Sequence, residues 1–192
     1  MHPVLETVQQ HLRQALEPMS VQDMQIHPMG NEKRWSAQQI AEHLILTYQG
    51  TSSLLADRLT KKRRTKARRT TLQWCLQIMV VSVGHLPKGV PAPEGTIPPS
   101  SGFEPVSGNE MARRLAEEVE RMDRVIDQCR QSFGLESVAS HLLLGPLRVD
   151  QWRRFHAIHG EHHLKQIVAI KRDMPMRLVP KPTAPQVITL YR

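Results

Sequence analysis

The sequence predicts an all-α protein built as a four-helix bundle. Four segments of the 192-residue chain repeat apolar residues every three or four positions, the spacing that gives a helix one buried face. Ser-x-x-Gln and Ser-x-x-Glu patterns, typical of helix starts, open two of these segments, and no segment has a confident strand pattern. A chain of this length suits one domain with its own core. We expect residues 1–173 to form the bundle and residues 174–192 to form a C-terminal tail, either an extended arm or a frayed end.

The first helix is predicted over residues 3–18 and the second over residues 36–60. Regular apolar spacing defines the first helix, and a proline ends it. Ser36 and Gln39 form a capping box at the start of the second helix. Its inward face carries His43, in a place where an aliphatic side chain is the usual choice.

An extra short helix and a long proline-rich loop are predicted between the second and third long helices. Residues 72–83 are apolar almost all round and favour a short buried helix, although a strand remains open. Six prolines between residues 84 and 108 predict a loop, and a loop of this length in a compact domain is usually functional, covering a site or reaching a partner. Ser107 and Glu110 open the third long helix, which ends near Gly134.

The charge and cysteine content exclude several classes of protein. The net charge is +8, but seven of the nine residues over 61–69 are Lys or Arg, and no aromatic residue lies among them to stack on bases. A solvated basic segment is therefore favoured over a nucleic-acid-binding one. Cys75 and Cys129 have no metal-ligand spacing, so we expect reduced, buried thiols. Neither a signal peptide nor a membrane span is evident, and we expect a cytoplasmic protein with no membrane partner.

The fourth long helix, predicted over residues 149–173, follows a connection with a Gly-Pro turn and carries four histidines within eight positions. His159 and His163 are four residues apart on the buried face, so two imidazoles from successive turns can meet one metal ion. If His43 faces the same interior, three neutral imidazoles can bind one divalent ion and leave a position open. That arrangement is typical of catalytic zinc sites, and imidazole ligands also suit nickel.

The remaining polar residues near this site receive lesser roles. His156 lies one turn before His159 and is the candidate for pocket lining or acid/base catalysis. His162 is predicted at the edge of the buried face. Gln166, Glu42 and Tyr48 are candidates to hold the ligating rings, because a metal-bound imidazole normally donates its other N–H to an acceptor.

Three segments together resemble one known family. W-S-x-x-x-x-A-E-H-L spans residues 35–44, H-x-x-H-x-x-H-H-L-x-Q-I spans residues 156–167, and G-P-L-x-x-x-Q-W spans residues 145–152. The chain is similar in these segments to the DinB-like superfamily, also called the DinB/YfiT-like superfamily, and within it to an uncharacterised branch. The order of predicted elements matches over most of residues 1–173.

The resemblance implies up-down-down-up connectivity of the four helices, homodimers in many members, and a divalent ion held by three histidines. These correspond to His43, His159 and His163 here. Characterised relatives include transferases and isomerases that use a low-molecular-weight thiol, whose deprotonation the metal would favour. In place of a helix-capping Thr or Ser, the chain has Arg148, so we expect Asp150 to take over the cap.

Two functional hypotheses follow from the sequence. The first is a metal-binding protein that acts on a small-molecule substrate, as a metal-dependent transferase that uses a low-molecular-weight thiol or as a hydrolase. The second is a non-catalytic helical bundle that binds an acidic partner or nucleic acid through residues 61–69. The histidine pattern favours the first.

Overall fold

The computed structural model describes residues 1–87, 89–99 and 104–174. The prediction of a tail over residues 174–192 therefore lies outside the described residues, apart from Met174. Within them the fold is mostly helical, as predicted, with one small sheet. Its helices and strands are α1 (Pro3–Leu16), α2 (Val21–Met24), α3 (Ala37–Thr60), α4 (Thr71–Gln77), α5 (Gly108–Phe133), β1 (Ser137–His141), β2 (Gly145–Arg148) and α6 (Val149–Arg172).

The four long helices α1, α3, α5 and α6 form where the sequence has amphipathic periodicity, because their apolar faces meet in one core. Helix α3 packs on α5, α1 packs on α6 and α5, and α6 also contacts α3 and α5. Leu12, Leu44, Met122 and Ile167, one from each helix, are completely or almost completely buried in this core. The up-down-down-up connectivity stays a prediction.

Side-chain caps fix the starts of α3 and α6, the two helices that carry the candidate metal ligands. The capping box of α3 is confirmed, since Ser36 N donates to Gln39 Oε1 at 2.9 Å and Gln39 N donates to Ser36 Oγ at 3.3 Å. At the start of α6, Arg148 N donates to Gln151 Oε1 at 3.0 Å. Asp150, which was expected to take over the cap, binds the Arg148 guanidinium at 3.0 Å, and its carboxylate also has hydrogen bonds from the backbone N–H groups of residues 150 and 151 in the first turn.

A β-hairpin stands where the sequence was expected to have no strand. Strands β1 and β2 pair antiparallel, with Ser140 opposite Pro146 and His141 opposite Gly145. The Gly-Pro pair therefore lies in the second strand, and the turn falls on the three leucines before it. These strands were missed because they have only five and four residues and Pro146 is untypical of a strand.

The short helix after the basic segment exists, but the prediction that it is buried is wrong. Helix α4 continues into a π-helical turn over Ile78–Ser82, and only Gln77, Val80 and Val81 along this stretch are buried. Leu72 is 69% exposed and Trp74 is 49% exposed. One face of α4 packs against the rest of the protein, and no described residue covers its other face. The buried state predicted for Cys75 is also wrong, since this free thiol is exposed whereas Cys129 is buried.

The region between α4 and α5 is mainly irregular, as predicted, within its described residues 84–87, 89–99 and 104–107. One short 3-10 turn, Glu94–Thr96, interrupts it and packs against α3. A second element that the sequence did not predict is α2, which Ser20 and Asp23 cap with a full capping box. Across the described part of the chain, no helix combines the length and the apolar character that a membrane span requires.

Candidate metal centre

Helices α3 and α6 bring three buried histidines to one point. His43 comes from the second turn of α3, and His159 and His163 come from successive turns of α6. His159 Nε2 lies 3.2 Å from His43 Nε2 and 3.0 Å from His163 Nε2. The three side chains form a group whose ligand atoms all lie within 4.8 Å of one another and could hold a metal ion.

Hydrogen bonds on the outer nitrogens orient two of the three rings. His43 Nδ1 lies 2.7 Å from the carbonyl oxygen of Thr96, and His163 Nδ1 lies 2.8 Å from Gln166 Oε1. A carbonyl oxygen only accepts, so both Nδ1 atoms donate and each Nε2 keeps its lone pair for the centre of the group. This is how ligating imidazoles are normally held in proteins.

Gln166 was identified from the sequence as a residue that holds a ring, but Thr96 was not. Thr96 lies in the proline-rich region, and no spacing rule connects position 96 with position 43. Tyr48 Oη has no hydrogen-bond partner among the described residues. Burial raises the pKa of Glu42, whose carboxylate has a hydrogen bond from Gln38. Neither Glu42 nor Tyr48 is hydrogen-bonded to a histidine of the group within the described part of the chain.

The three imidazoles are neutral at neutral pH. Burial lowers the pKa of His43, although the hydrogen bond to Thr96 opposes the shift. Burial, together with the nearby His43, lowers the pKa of His163 to about 3. For His159, burial and the neighbouring histidines hold the pKa well below its ordinary value. All three rings therefore present a lone pair rather than a positive charge, as metal ligands must.

The geometry and chemistry of this group fit a divalent cation. Two imidazole nitrogens bound tetrahedrally to one ion at about 2.0–2.1 Å lie about 3.3 Å apart, close to the two separations observed here. With His43 and His163 both presenting lone pairs, His159 Nε2 could donate its single proton to only one of them. If His159 is also oriented with Nε2 unprotonated, its Nδ1–H is buried without an acceptor among the described residues. A cation satisfies all three Nε2 lone pairs at once.

The group opens onto a cavity of about 600 Å³ between α3, α6, the hairpin and the proline-rich region. Its walls are largely apolar, from Leu76, Val80, Leu86, Val90 and Phe155, among others. Among the described residues that line the cavity, none is Asp, Glu, Lys or Arg. The prediction that the long loop covers a site agrees with this arrangement, because Thr96 and several prolines of the loop form one wall.

A sequence profile of the DinB superfamily matches residues 5–167, which is most of the chain and contains all three histidines. The chain belongs to the DinB superfamily. No curated protein and no solved structure showed a significant match to it. Membership of the superfamily agrees with the mostly helical fold, and it leaves the reaction and the substrate open.

The other two histidines of α6 in this DinB-superfamily chain have different surroundings. His156 is fully buried, its Nε2 lies 3.1 Å from Thr51 Oγ1, and it does not line the cavity, whereas Thr51 does. Burial lowers the pKa of His156 to about 3. The expectation of a pocket-lining His156 is therefore wrong, and its role in proton transfer stays a prediction that would have to act through Thr51. His162 lines the cavity and is half-buried.

His141 is a cavity residue that the sequence analysis missed. It ends strand β1, and its Nδ1 accepts hydrogen bonds from the backbone N–H groups of Leu143 and Leu144, both at 3.2 Å. Its ring lies against Phe155 with centroids 4.5 Å apart. A lone histidine in a short apolar run gives no periodic signal, so only the fold reveals that it faces the same cavity.

Gly160 occupies the position that carries the general-base Glu in H-E-x-x-H zinc enzymes, and packing explains the glycine. A Cβ at this position would lie 2.6 Å from Val8 Cγ1 and 3.4 Å from Tyr48 Oη. Helix α6 therefore approaches α1 and α3 too closely here for a larger side chain. A carboxylate at position 160 would point into the core and away from the use it has in those enzymes.

Proposed function

We propose that this chain is a divalent-metal-binding protein in which Nε2 of His43, His159 and His163 hold one zinc or nickel ion. The observation that carries the proposal is the convergence of three neutral, buried imidazole nitrogens at the wall of a cavity of about 600 Å³. Three protein ligands leave a position for a further ligand, which is the pattern of catalytic rather than structural zinc sites. We further propose that the four long helices form an up-down-down-up bundle around this site.

The activity that this site supports best is that of a metal-dependent transferase that uses a low-molecular-weight thiol, or of a hydrolase. A divalent ion at the site would lower the pKa of a thiol or a water molecule in its open position, so that a nucleophile exists at neutral pH. The residues of the chain would orient the ligands and shape the cavity around the substrate. Thr96 and Gln166 fix the orientation of two rings, and the apolar walls limit the access of bulk water to a bound substrate.

Metal analysis of the purified protein tests the proposed site. We expect about one zinc or nickel ion per chain after equilibration and removal of free metal, and none in His159→Ala. His162→Ala is the matched control, because it removes a neighbouring cavity histidine that lies outside the group of three. A wild-type protein that retains neither ion, or equal retention in both variants, contradicts the proposal.

The thiol requirement separates the two activities. A transferase should consume a thiol and a small electrophile together, whereas a hydrolase should cleave an activated ester without added thiol. Both activities should be lost in His159→Ala. In the wild type, removal of the metal with a chelator should lower the rate to that of the uncatalysed reaction. Activity that survives in the metal-free protein contradicts a metal-dependent mechanism.

A further inference from the structure

The cavity beside the three histidines has no charge of its own among its described lining residues. The ligands are neutral imidazoles, and no Asp, Glu, Lys or Arg side chain reaches the described wall. A divalent ion held there would keep its full charge, so the group that faces it in a bound molecule is best an anion such as a thiolate. A second charge elsewhere on that molecule would find no counter-charge, and burying it would be costly. The rest of the molecule is therefore expected to be neutral.

His141 supplies a neutral polar group in this same cavity. Its Nδ1 accepts from two backbone N–H groups, so Nδ1 has no proton. Burial lowers the pKa of His141 to about 4, and the ring is therefore neutral at pH 7. A neutral imidazole has one N–H, which must then be at Nε2. The hairpin turn thus fixes the tautomer.

The Nε2–H group of His141 is free to meet a ligand. It has no hydrogen-bond partner in the described part of the chain, yet it is not one of the sealed, unpartnered atoms there, which include His156 Nδ1 and His159 Nδ1. His141 lines the cavity, and we infer that this accessible N–H faces it. The Phe155 ring contacts both His141 and the metal-site residue His159: its centroid lies 4.5 Å from that of the His141 ring and 5.5 Å from that of the His159 ring, on which it stacks.

We infer that His141 Nε2–H is a second anchor for the molecule bound in the cavity, donating a hydrogen bond to a neutral carbonyl or hydroxyl oxygen. The ligand class is then a small anion, with a thiolate at one end, an apolar body along Phe155 and the leucines of the hairpin, and one neutral oxygen at the far end. The thiolate end rests on the proposed metal site. The hydrogen bond to His141 rests on the hairpin and the cavity. In this proposal His141 positions the ligand and neither donates nor accepts a proton in the reaction.

Two substitutions separate the role of the His141 Nε2–H donor from the role of Nδ1 as an acceptor in the hairpin turn. His141→Asn keeps an acceptor near the place of Nδ1, so the turn can still close, and it removes the distant N–H. His141→Gln places an amide N–H near the position of Nε2 and loses the acceptor of the turn. If the N–H donor at Nε2 anchors the ligand, the glutamine variant should bind it as tightly as the wild type does, and the asparagine variant should bind it more weakly. Far-ultraviolet circular dichroism checks that both variants fold.

The probes are alkanethiols of increasing length and the matched thiols that carry one ketone oxygen, titrated into cobalt-loaded protein. Thiolate-to-cobalt charge-transfer absorption reports binding without any assay of activity. In the wild type, the ketone should tighten binding about five- to tenfold at the length that reaches His141, as one net hydrogen bond allows. This gain should fall to about onefold in His141→Asn and persist in His141→Gln. An equal gain in wild type and His141→Asn overturns the proposal for His141 and leaves the metal site standing.

The tautomer is measured independently of any metal. Long-range proton–nitrogen correlation spectra of the metal-free protein should show His141 with a protonated Nε2 and an unprotonated Nδ1. A protonated Nδ1 overturns the proposal whatever the cobalt experiment gives. Failure of the protein to bind cobalt, zinc or nickel instead removes the proposed function and, with it, the thiolate end of the ligand.

Discussion

Helix α6 carries two buried polar groups, Arg153 and the pair His159 and His163 about two to three turns further along, and their hydrogen-bonding partners come from different sources. At Arg153 the chain supplies every partner: Nε donates to Asp123 Oδ1 at 2.7 Å and Nη2 donates to Asp127 Oδ1 at 2.6 Å. The other Asp123 oxygen accepts from the backbone N–H of His2 at 2.7 Å. At the three histidines, the lone pairs face one another and no cationic side chain in the described chain lies among them.

This difference distinguishes a structural polar group from a site for an outside ligand. A buried charge is tolerated when its own chain pairs it, and such a pair then ties helices together without further chemistry. Arg153 joins α6 to α5 and, through Asp123, to the start of α1. Two of the three histidines, His43 and His163, are also held by hydrogen bonds on their outer nitrogens, but the group is left incomplete in the centre. A cluster of oriented polar groups in a cavity indicates a binding site when its lone pairs have no partner in the protein, because an outside ligand can then supply that partner.

Removing Arg153 should have the largest effect on stability. In Arg153→Met the Asp123 carboxylate, whose side chain is 3% exposed, stays buried without its counter-charge. We expect the free energy of unfolding to fall by about 3–5 kcal/mol, measured by urea denaturation. The double variant Arg153→Met/Asp123→Leu should recover most of this loss, because both charges are gone. Equal destabilisation in the single and double variants would show that packing, not charge, accounts for the effect.

Replacing a histidine of the proposed metal site should do the opposite in the metal-free protein. In His163→Leu, His43 and His159 remain as one acceptor and one donor, so the unpaired third nitrogen disappears. We expect the metal-free variant to lie within about 1 kcal/mol of the wild type or to be more stable.

A divalent ion should make the wild type more stable than His163→Leu. At an ion concentration of about a hundred times Kd the wild type should gain about 2.7 kcal/mol, while His163→Leu gains almost nothing. Thermal or urea denaturation with and without zinc measures both. A metal-free His163→Leu that loses as much stability as Arg153→Met would make the histidines a structural cluster like the arginine group.

The sequence predicted more of the histidine group than of its surroundings, for a physical reason. Helical spacing placed His159 and His163 on one buried face and His43 on the buried face of another helix, and the resemblance to a family then joined the three as one ligand set. Thr96 and His141 lie in a loop and at a hairpin turn, where no periodicity exists. Their positions depend on tertiary packing between segments more than fifty residues apart in one case and on a turn within three residues in the other. Neither arrangement leaves a pattern that a helix-based prediction detects.

The same limit applies to the fold. Amphipathic periodicity predicted all four long helices, because each buries one stripe of residues whatever its exact neighbours. The apolar character of α4 gave the right element and the wrong burial, since residues such as Trp74 can be covered only if a neighbour exists to cover them. The paired partners of Arg153 also escaped prediction, because Asp123 and Asp127 lie on another helix.

The pH dependence of stability should belong to the histidines and not to the arginine group. Burial gives His156 a pKa of about 3 in the folded protein, against 6.5 as its ordinary value. Between these values the unfolded chain binds a proton that the folded chain does not, so stability is complete above about pH 6.5 and falls as the pH drops towards 3.

His156→Gln should flatten this dependence. Glutamine can keep a hydrogen bond to Thr51 but has no proton to bind in this range, so the slope between pH 4 and 6 should decrease by about 1.4 kcal/mol per pH unit. Urea denaturation at a series of pH values measures the slope. The double variant Arg153→Met/Asp123→Leu is the control, because it leaves no buried carboxylate without its counter-charge, and it should change the slope little in this interval. An unchanged slope in His156→Gln would mean that other buried histidines, such as His141, account for the acid sensitivity.

The smallest expected effect is that of Asp127→Asn, in the arginine group itself. Comparison of this variant with Asp123→Asn isolates burial as the deciding variable. Asp123 and Asp127 bind the same guanidinium at nearly the same distance, but the Asp127 side chain is 56% exposed and the Asp123 side chain is 3% exposed. Asp127→Asn should therefore cost about 1 kcal/mol or less, and less still at high salt, because water already screens that charge. Asp123→Asn should cost about 3 kcal/mol or more, because it leaves the buried guanidinium without its buried partner. Urea denaturation of both variants at low and high salt measures the difference. Equal losses would mean that contact geometry rather than solvent exclusion sets the energy of a buried pair, and the contrast with the histidine group would then have to rest on geometry as well.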